Sequence, residues 1–268
     1  MKIGIVGNGV VGSACARSYL EHVDEVRVYD VMKERRTHEL NSVLECDLIF
    51  ICLPTPLKED GGLDLSPIEC YCRYVKGGRY NLVLRSTVPI GTTRRLRKQF
   101  ELPNLVHSPE FLTARCSFVD AQIPARNVIG YPEWEHRESE TGSVLFRLYQ
   151  DRFPGVRVFE LSSDESEAVK LFQNSFFAVK VAFFNEVRLL ADELDLNWNR
   201  VMEAVLADGR ITHSHTRVPG PDGKYGFGGS CLPKDLKCLV DQLVCRELNP
   251  AVTLAAYSRN FDDRKRGE

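Results

Sequence analysis

Cys231 stands in a stretch whose residue types could do covalent chemistry. It follows the glycine-rich part of "GFGGSCLPKD", residues 226–235, and precedes a Leu-Pro-Lys-Asp turn that predicts the start of a helix. Asp235 lies four residues further on, about one helical turn away. A cysteine at a helix N-terminus is placed for exposure and for a lowered thiol pKa. Cys231 is therefore a candidate nucleophile, provided that the chain also supplies something to attack.

A dinucleotide site is indicated by "GNGVVG", residues 7–12, which has the G-x-G-x-x-G spacing between a predicted strand and a predicted helix. The spacing alone is also typical of a tight turn, but Asp30 ends the second predicted strand at close to the expected offset of about 20 residues. An acid there accepts the ribose hydroxyls and repels a 2′-phosphate, so NAD is favoured over NADP. Three basic residues close behind weaken that preference: Lys33, Arg35 and Arg36. The predicted cofactor-binding residues of this region are Gly7, Asn8, Gly9, Val10, Val11, Gly12 and Asp30.

Two more loops follow predicted strands, at the edge where α/β sheets bind ligands. They are "CLPTP", with Thr55, and "RSTVPIGTT", with Ser86 and Thr87. We add these three residues to the cofactor-binding candidates, although a turn capped by a hydroxyl explains each loop equally well.

Further polar residues are candidates on position alone. Lys170 and Asn174 are four apart and share a helix face, which for an isolated pair is better explained as a solvated face. Glu110, in "SPEF", follows a strand end and is either a surface charge or a carboxylate that faces the site.

The elements that must position these residues form two groups. Seven apolar runs without polar alternation are typical of strands buried on both faces: "KIGIV", "EVRVYD", "DLIFICL", "NLVLRS", "NLVHS", "RNVIG" and "VRVFEL". Their alternation with helical stretches predicts an α/β fold with a doubly wound, Rossmann-type parallel sheet, followed by a helical domain. We predict an NAD-binding domain over residues 1–160 and a helical substrate and dimerisation domain over 161–268.

One long helix of roughly thirty residues is predicted from residue 162 onward, where the chain has no Gly or Pro up to residue 194. Ser162 and Glu165 form a capping box at its start. Its apolar residues recur at helical spacing, and they are Val169, Phe172, Phe176, Val179, Phe183, Val187 and Leu190. Such a length favours a link between domains or a subunit interface. Shorter helices follow at "NRVMEAVLAD" and "NPAVTLAAYSRNF", the latter with Asn249 as N-cap and Pro250 as the first helical residue.

Composition narrows the class of protein. The chain has 268 residues, 43% of them hydrophobic, and a formal net charge of -2, which argues against a chain built mainly to grip nucleic acid. No apolar run approaches the ~18 residues of a membrane span. Nine cysteines without a CxxC pair indicate neither a disulfide framework nor a zinc site, and a reducing cytoplasm is the expected setting. We expect Cys46 and Cys52 to be core residues and Cys238 and Cys245 to be structural.

Five motifs occur in one order behind the glycine fingerprint: "STVPIGTT", "SPEFL", "EAVKLFQNSFFAVKVAFFNEV", "DGRI" and "GFGGSCLPKD". In this order they closely resemble the UDP-glucose/GDP-mannose dehydrogenase family, over nearly the whole chain, and within it the UDP-glucose 6-dehydrogenases most. The last motif is the most specific.

The resemblance implies that the C6 alcohol of a nucleotide sugar, with UDP-glucose as first choice, is oxidised to a carboxylate with two NAD per substrate. It implies that Cys231 captures the aldehyde as a thiohemiacetal and then carries a thioester until water hydrolyses it. Lys170 would stabilise negative charge on the C6 oxygen, and Asn174 would position that oxygen. The residues that orient or activate water would be Asp235, Glu110 and Thr87.

The same resemblance implies a set of substrate-binding residues: Glu110, Phe111, Leu112, Lys170, Asn174, Arg210, Tyr225, Phe227 and Gly228. Arg210, in "DGRI", resembles an arginine that reaches across a dimer to the substrate of the neighbouring subunit, and its fork suits phosphate or sugar oxygens. We therefore expect a cytoplasmic homodimer that binds a nucleotide sugar and NAD, with no metal, nucleic acid or membrane partner.

The sequence departs from the family's pattern at two places. Where the family commonly carries a second glutamate, four residues after the one in "SPEF", this chain has Ala114, so hydrolysis is expected to depend on Glu110 and Asp235. The family normally continues with another Rossmann-like domain over the nucleotide end of the substrate, whereas this sequence ends at "FDDRKRGE". We expect weaker nucleotide recognition as a result.

Two other functions fit parts of the pattern. A single-hydride 3-hydroxyacid dehydrogenase also pairs a Rossmann domain with a helical domain and can use a helical Lys and Asn, but it does not need "GGSCLPKD". A non-catalytic NAD-binding remnant would fit the alanine at position 114. The number of NADH molecules formed per substrate separates these alternatives, since the double oxidation forms two and the single oxidation one.

Overall fold

The computed structural model describes residues 1–59, 61–132 and 139–266, which form two compact units. The sheet unit comprises Met1–Thr55 and Leu63–Lys170, and the helical unit comprises Pro56–Gly62 and Leu171–Glu268. The division between these units falls after Lys170, inside a helix, and the predicted domain boundaries of 1–160 and 161–268 stay a prediction. The division lies at this point because Glu167 and Lys170, in the first turns of that helix, are bonded to loops of the sheet unit.

Seven strands build the sheet unit, and each lies at one of the seven predicted apolar runs. They are β1 Lys2–Val6, β2 Glu25–Tyr29, β3 Leu48–Ile51, β4 Leu82–Leu84, β5 Leu105–His107, β6 Asn127–Tyr131 and β7 Val158–Ser162. Their order in the sheet is β2-β1-β3-β4-β5-β6-β7. The predicted α/β class with a Rossmann-type sheet is confirmed.

The last two strands run against the predicted direction. β1 to β5 are mutually parallel, but β5 pairs antiparallel with β6 at His107 and Gly130, and β7 is parallel to β6. The sheet is thus mostly parallel rather than wholly so. An apolar run shows that a strand is buried on both faces, but it carries no information about which way the strand points.

In the described part of the sheet unit, the helices that cover the sheet are α1 Val10–Tyr19, α2 Leu40–Val43, α3 Ser66–Tyr74, α4 Thr92–Gln99 and α6 Glu140–Arg152, and α5 Ser117–Gln122 packs against α1. Successive strand residues point to opposite faces, so β3 sends Leu48 and Phe50 into one core cluster and Ile49 and Ile51 into another. Both faces are therefore buried, which is why the strands read as continuous apolar runs. This frame fixes the loops at the carboxyl ends of β1, β3, β4 and β5.

The described residues of the helical unit contain α8 Trp198–Leu206, α9 Leu232–Val244, α10 Ala251–Lys265 and most of α7 Ser163–Glu193, whose first turns belong to the sheet unit. The 31 residues of α7 match the predicted length. The predicted capping box is present, since the Ser162 N–H donates to the Glu165 carboxylate and the Glu165 N–H donates to the Ser162 hydroxyl. α10 begins one residue later than predicted, with Pro250 as the N-cap.

The apolar stripe of α7 is only partly used for packing within the chain. Phe172, Phe176, Phe183 and Leu190 are more than half exposed, while the buried side chains on this helix include Ala178, Ala182 and Phe184. An exposed aromatic stripe on a long helix fits the predicted role in a subunit interface. The homodimer itself stays a prediction.

Candidate active site

The glycine loop after β1, residues 7–12, forms a cradle. Of its three glycines, only Gly9 has open space beside it for a ligand. Gly7 has φ +93°, and a Cβ there would meet the Cys52 carbonyl oxygen at 2.7 Å. A Cβ on Gly12 would lie 1.8 Å from the Gly7 carbonyl oxygen, so the loop packs tightly against its own helix. Gly9, the N-cap of α1, has no atom within 4 Å of that position and no side-chain cap. The open N-terminus of α1 fits a pyrophosphate.

Asp30, just after β2, lies beside this loop. One oxygen of its carboxylate accepts the Asn8 N–H at 2.7 Å, and the other accepts the Met32 N–H at 2.9 Å. Both bonds orient the carboxylate at the edge of the cradle, where a ribose would follow the pyrophosphate. Val10, at the first turn of α1, is exposed and Val11 is half-buried.

The two hydroxyl-bearing loops after β3 and β4 are bonded to each other. The Thr55 hydroxyl donates to the Thr87 carbonyl at 2.8 Å, and the Ser86 hydroxyl donates to the Leu53 carbonyl at 2.6 Å. All three predicted residues are buried. The hydroxyls of Thr55 and Ser86 therefore join the loops, and any contact they make with a cofactor must use their remaining acceptor capacity.

A buried ion pair joins the "SPEF" loop to α7. The Lys170 ammonium donates to the Glu110 carbonyl at 2.8 Å and to its carboxylate at 2.9 Å, and the Leu112 N–H donates to the same carboxylate at 2.6 Å. Lys170 is 3% exposed and Glu110 7%, so neither is a solvated surface charge. Burial alone would raise the pKa of Glu110, but the Lys170 charge and these hydrogen bonds outweigh it and hold this pKa below its ordinary value. The carboxylate is thus kept ionised.

Phe111, between the two bonded residues of that loop, has a cation on its ring. The Arg126 guanidinium lies 3.9 Å from the ring centroid and the Lys170 ammonium 5.7 Å from it. Phe111 and Leu112 are both half-buried. They are positioned to present apolar surface beside the Glu110–Lys170 pair.

In the helical unit, the predicted nucleophile and its neighbouring acid lie at the start of α9. Cys231 is the N-cap and is half-buried, and Asp235 is fully buried in the first turn. The Asn174 amide donates to the Asp235 carboxylate at 2.6 Å, and the Lys234 ammonium donates to its other oxygen at 2.5 Å. Asn174 is 7% exposed, so this side chain, like Lys170, does not belong to a solvated helix face. This part of the site places a thiol at a helix N-terminus, one turn before a fixed carboxylate.

The loop before Cys231 is held by two asparagines. The Asn260 side chain of α10 accepts the Phe227 N–H at 2.7 Å and donates to the Phe227 carbonyl at 3.0 Å. The Asn185 side chain of α7 accepts the Gly226 N–H at 2.8 Å. The Phe227 ring is a core side chain, packed with Ala178, Ala182, Leu236 and Ala256, so a ligand would meet the backbone of Phe227 and not its ring.

Other predicted substrate residues lie around this loop or apart from it. A Cβ on Gly228 would lie 2.9 Å from the nearest nitrogen of the Arg264 guanidinium. Tyr225 is half-buried. Arg210 has an 88% exposed side chain that pairs with Asp208, two residues earlier. Among the described bonds it joins none of the clusters above, and its role across a dimer stays a prediction.

Sequence reasoning missed Glu167, Asn185 and Asn260, all of which bond to loops of the site. Glu167 had a signal, since it is an acid three residues before Lys170 on the same helix. The two asparagines had none, because an amide that holds a backbone segment is not distinguishable by type or spacing from one in solvent. The expectations for the other cysteines hold in part: Cys46, Cys52 and Cys238 are buried, but Cys245 is exposed.

Comparison with known proteins bears on both units. Residues 32–151 match the NAD binding domain of the UDP-glucose/GDP-mannose dehydrogenase family, and residues 164–261 match its central domain. A UDP-glucose 6-dehydrogenase from Campylobacter jejuni is 30% identical over an alignment of 275 positions, gaps included, that covers 90% of this chain and 67% of that protein. The chain belongs to this family. The family's NAD-binding domain, with the cradle and Asp30 described above, identifies NAD as the cofactor of the sheet unit.

Other relatives within the family differ in the sugar nucleotide they are named for. A GDP-mannose 6-dehydrogenase from Pseudomonas aeruginosa is 29% identical, and the alignment covers 89% of this chain and 63% of that protein. The structure of a UDP-glucose dehydrogenase from Pyrobaculum islandicum superposes with a TM-score of 0.82 at 29% identity, over 97% of this chain and 68% of that one. The chain thus spans about two thirds of these family members. Among the residues described, no helix is long and apolar enough to cross a membrane.

Proposed function

We propose that the chain oxidises the C6 hydroxyl of a nucleotide sugar to a carboxylate in two NAD-dependent steps, with UDP-glucose as the first candidate substrate. The observation that carries this is the start of α9, where Cys231 caps the helix and Asp235, bonded to Asn174, lies one turn further on. A single alcohol oxidation requires no thiol there. A double oxidation uses one to retain the aldehyde.

NAD, when bound at the cradle, supplies the acceptor for each hydride. The C6 alcohol loses a hydride and a proton to give an aldehyde. The Cys231 thiolate adds to its carbon, and the oxygen takes up a proton to complete a thiohemiacetal. Loss of a second hydride, together with the hydroxyl proton, gives a thioester. Water then attacks the thioester carbon, the carbon–sulfur bond breaks, and the carboxylate and the thiol are released.

The other predicted residues stabilise charge, position the substrate or activate water. Lys170, whose ammonium already bonds two oxygens of Glu110, stabilises negative charge that develops on the C6 oxygen. Asn174 positions the same oxygen. The residues that orient or activate the hydrolytic water are Asp235, Glu110 and Thr87, and the last of these lies in the loop joined to Thr55.

The experiment is a substrate panel of UDP-glucose, UDP-N-acetyl sugars and GDP-mannose, scored by the NADH formed per sugar consumed. We expect two NADH with one of these substrates, and carboxylate formation should be lost in Cys231→Ala. Cys245→Ala is the matched control, because this exposed cysteine is the C-cap of the same helix. Formation of one NADH per sugar consumed would contradict the proposal and indicate a single-hydride dehydrogenase. No turnover on any substrate, with NAD still bound, would indicate a non-catalytic NAD-binding protein.

A further inference from the structure

Glu167 is a buried acid that the steps above do not use. It lies in the second turn of α7 and is 1% exposed. One oxygen of its carboxylate accepts the Gly91 N–H at 2.6 Å. The other accepts both the Thr93 N–H at 2.8 Å and the Thr93 hydroxyl at 2.6 Å. Three donors of one short segment therefore converge on a single side chain.

These donors belong to the segment that carries Ser86 and Thr87. Gly91 is the N-cap of α4 and has a left-handed backbone, with φ 95°, so no side chain of its own caps the helix. Glu167 supplies that cap from another element, and its charge suits the positive end of α4. At its other end the segment is bonded to Thr55 through the Thr87 carbonyl. The carboxylate and Thr55 together fix the path of the chain between β4 and α4.

We propose that Glu167 is a positioning residue: its carboxylate holds the 86–93 segment in the geometry that Ser86 and Thr87 need for the reaction. This inference rests on the proposed function, because Thr87 is a candidate for orienting water there. Glu167 lies three residues before Lys170 on the same helix. One stretch of α7 therefore fixes two loops of the sheet unit, the 86–93 segment through Glu167 and the "SPEF" loop through Lys170.

The same carboxylate makes this arrangement dependent on pH. Burial raises the pKa of Glu167 to about 7, and the hydrogen bonds from Thr93 and Gly91 only partly offset that effect. A proton converts one carboxylate oxygen into a hydroxyl, which accepts poorly. At least one backbone N–H then loses its charge-assisted bond. The segment is held best above about pH 7 and loosens below it.

The charged and titratable groups on the elements packed around Glu167 do not reproduce this behaviour. Asp164, on its own helix, raises its pKa further and is itself paired with Arg94 of α4 at 2.9 Å. His107, on β5, is bonded to Ser166, and burial lowers its pKa to about 3, so it stays neutral across this range. Two further cations on these elements are engaged in ion pairs, Arg95 with Glu69 and Lys170 with Glu110.

The first experiment compares the pH dependence of kcat in the wild type, Glu167→Gln and Glu193→Gln. In the wild type we expect kcat to fall through one protonation near pH 7, as the segment loosens. In Glu167→Gln that step should be absent, and kcat at pH 8.5 should be about tenfold below the wild-type value. KM should change less than kcat, since the variant removes no contact with substrate. Glu193→Gln, which changes an exposed acid at the other end of the same helix, should behave as the wild type.

A conservative pair refines the assignment. Thr93→Val removes only the hydroxyl donor and should lower kcat less than Glu167→Gln, whereas Thr93→Ser should restore it. A Glu167→Gln enzyme with the wild-type kcat and the wild-type pH profile would overturn the proposal. So would a variant that is merely less stable, with its protonation step unchanged.

A second measurement does not depend on turnover. Amide hydrogen exchange of residues 86–93, expressed as protection factors between pH 6 and 8.5, should show protection that rises through pH 7 in the wild type and stays flat in Glu167→Gln. If the wild type oxidises none of the nucleotide sugars but shows this difference, the proposed function fails while Glu167 still holds the segment. Equal protection in both proteins would overturn the positioning role.

Discussion

The loops of the candidate site are held mainly by charged side chains in the sheet unit and mainly by amide side chains in the helical unit, where the Arg264 guanidinium adds one long bond to the Tyr225 carbonyl at 3.4 Å. In the sheet unit, Glu167 and the Lys170–Glu110 pair fix the segments after β4 and β5. In the helical unit, Asn185 and Asn260 fix the loop before Cys231 through its backbone. A buried charge is costly when its partner is missing, and a charged group also titrates with pH. An amide carries no charge and does not titrate. The loops of the sheet unit should therefore respond to pH and to loss of a partner much more than the loop before Cys231.

The largest effect is expected when one half of the buried ion pair is removed. Lys170→Met leaves the Glu110 carboxylate buried without its partner, and we expect a loss of about 3–5 kcal/mol in the free energy of unfolding, measured with denaturant. Lys76→Met is the control, since Lys76 pairs with Glu101 on the surface at 3.1 Å, and such pairs contribute at most about 1 kcal/mol. Adding Glu110→Gln to Lys170→Met should recover part of the loss. Equal losses in the buried and surface variants would contradict the comparison.

Glu167 should give the next largest effect, visible as a slope with pH. Its pKa is about 7 in the folded protein and returns to its ordinary value near 4.5 on unfolding. Between these values the folded state binds more protons, so this group's contribution to stability is complete below about pH 4.5 and is lost as pH rises through about 7. The wild type minus Glu167→Gln difference in unfolding free energy should fall by at most about 1.4 kcal/mol per pH unit in this range. A flat difference between pH 5 and 8 would show that Glu167 does not titrate there.

Stability and positioning then change in opposite directions with pH. Ionising Glu167 costs folding free energy because the group is buried, yet the ionised form is the one that accepts three hydrogen bonds from the 86–93 segment. The sheet unit is expected to be less stable and better ordered at this segment at pH 8 than at pH 6. Such a conflict is typical of residues whose placement serves a site and not the fold alone.

The smallest effect is expected in the helical unit. Asn260→Ala leaves the N–H and the carbonyl of Phe227 without partners, which should cost about 1–3 kcal/mol in unfolding free energy. The loss should be the same at pH 6 and pH 8, because an amide does not titrate. Asn199→Ala, an exposed position on α8, is the control and should stay within about 0.5 kcal/mol of the wild type. A loss at Asn260 that changed with pH would break the distinction between the two units.

In both units some site residues could be predicted from the sequence and others could not. The glycine cradle and Asp30 were identified because the chemistry of a dinucleotide demands glycine at fixed spacings and an acid at the next strand end. Cys231 at a helix start was identified from the turn that follows it. Glu110, Lys170 and Asn174 were left open by their positions alone, since a carboxylate after a strand, or a lysine and an amide on one helix face, occurs as often in solvent as in a core. Their burial decided the matter.

By itself the sequence determined the seven strands, the long helix with its capping box, the NAD cradle and the membership of the family, because each depends on local spacing that any fold must respect. Only the tertiary structure decided that β6 and β7 run against the other strands, that the division between units lies after Lys170, and that the Phe227 ring is in a core. It also decided that Glu167, Asn185 and Asn260 hold the loops of the site. These facts depend on which segments meet across the fold. A side chain's polarity gives no sign of the distant backbone group that it bonds, so no local pattern could show them.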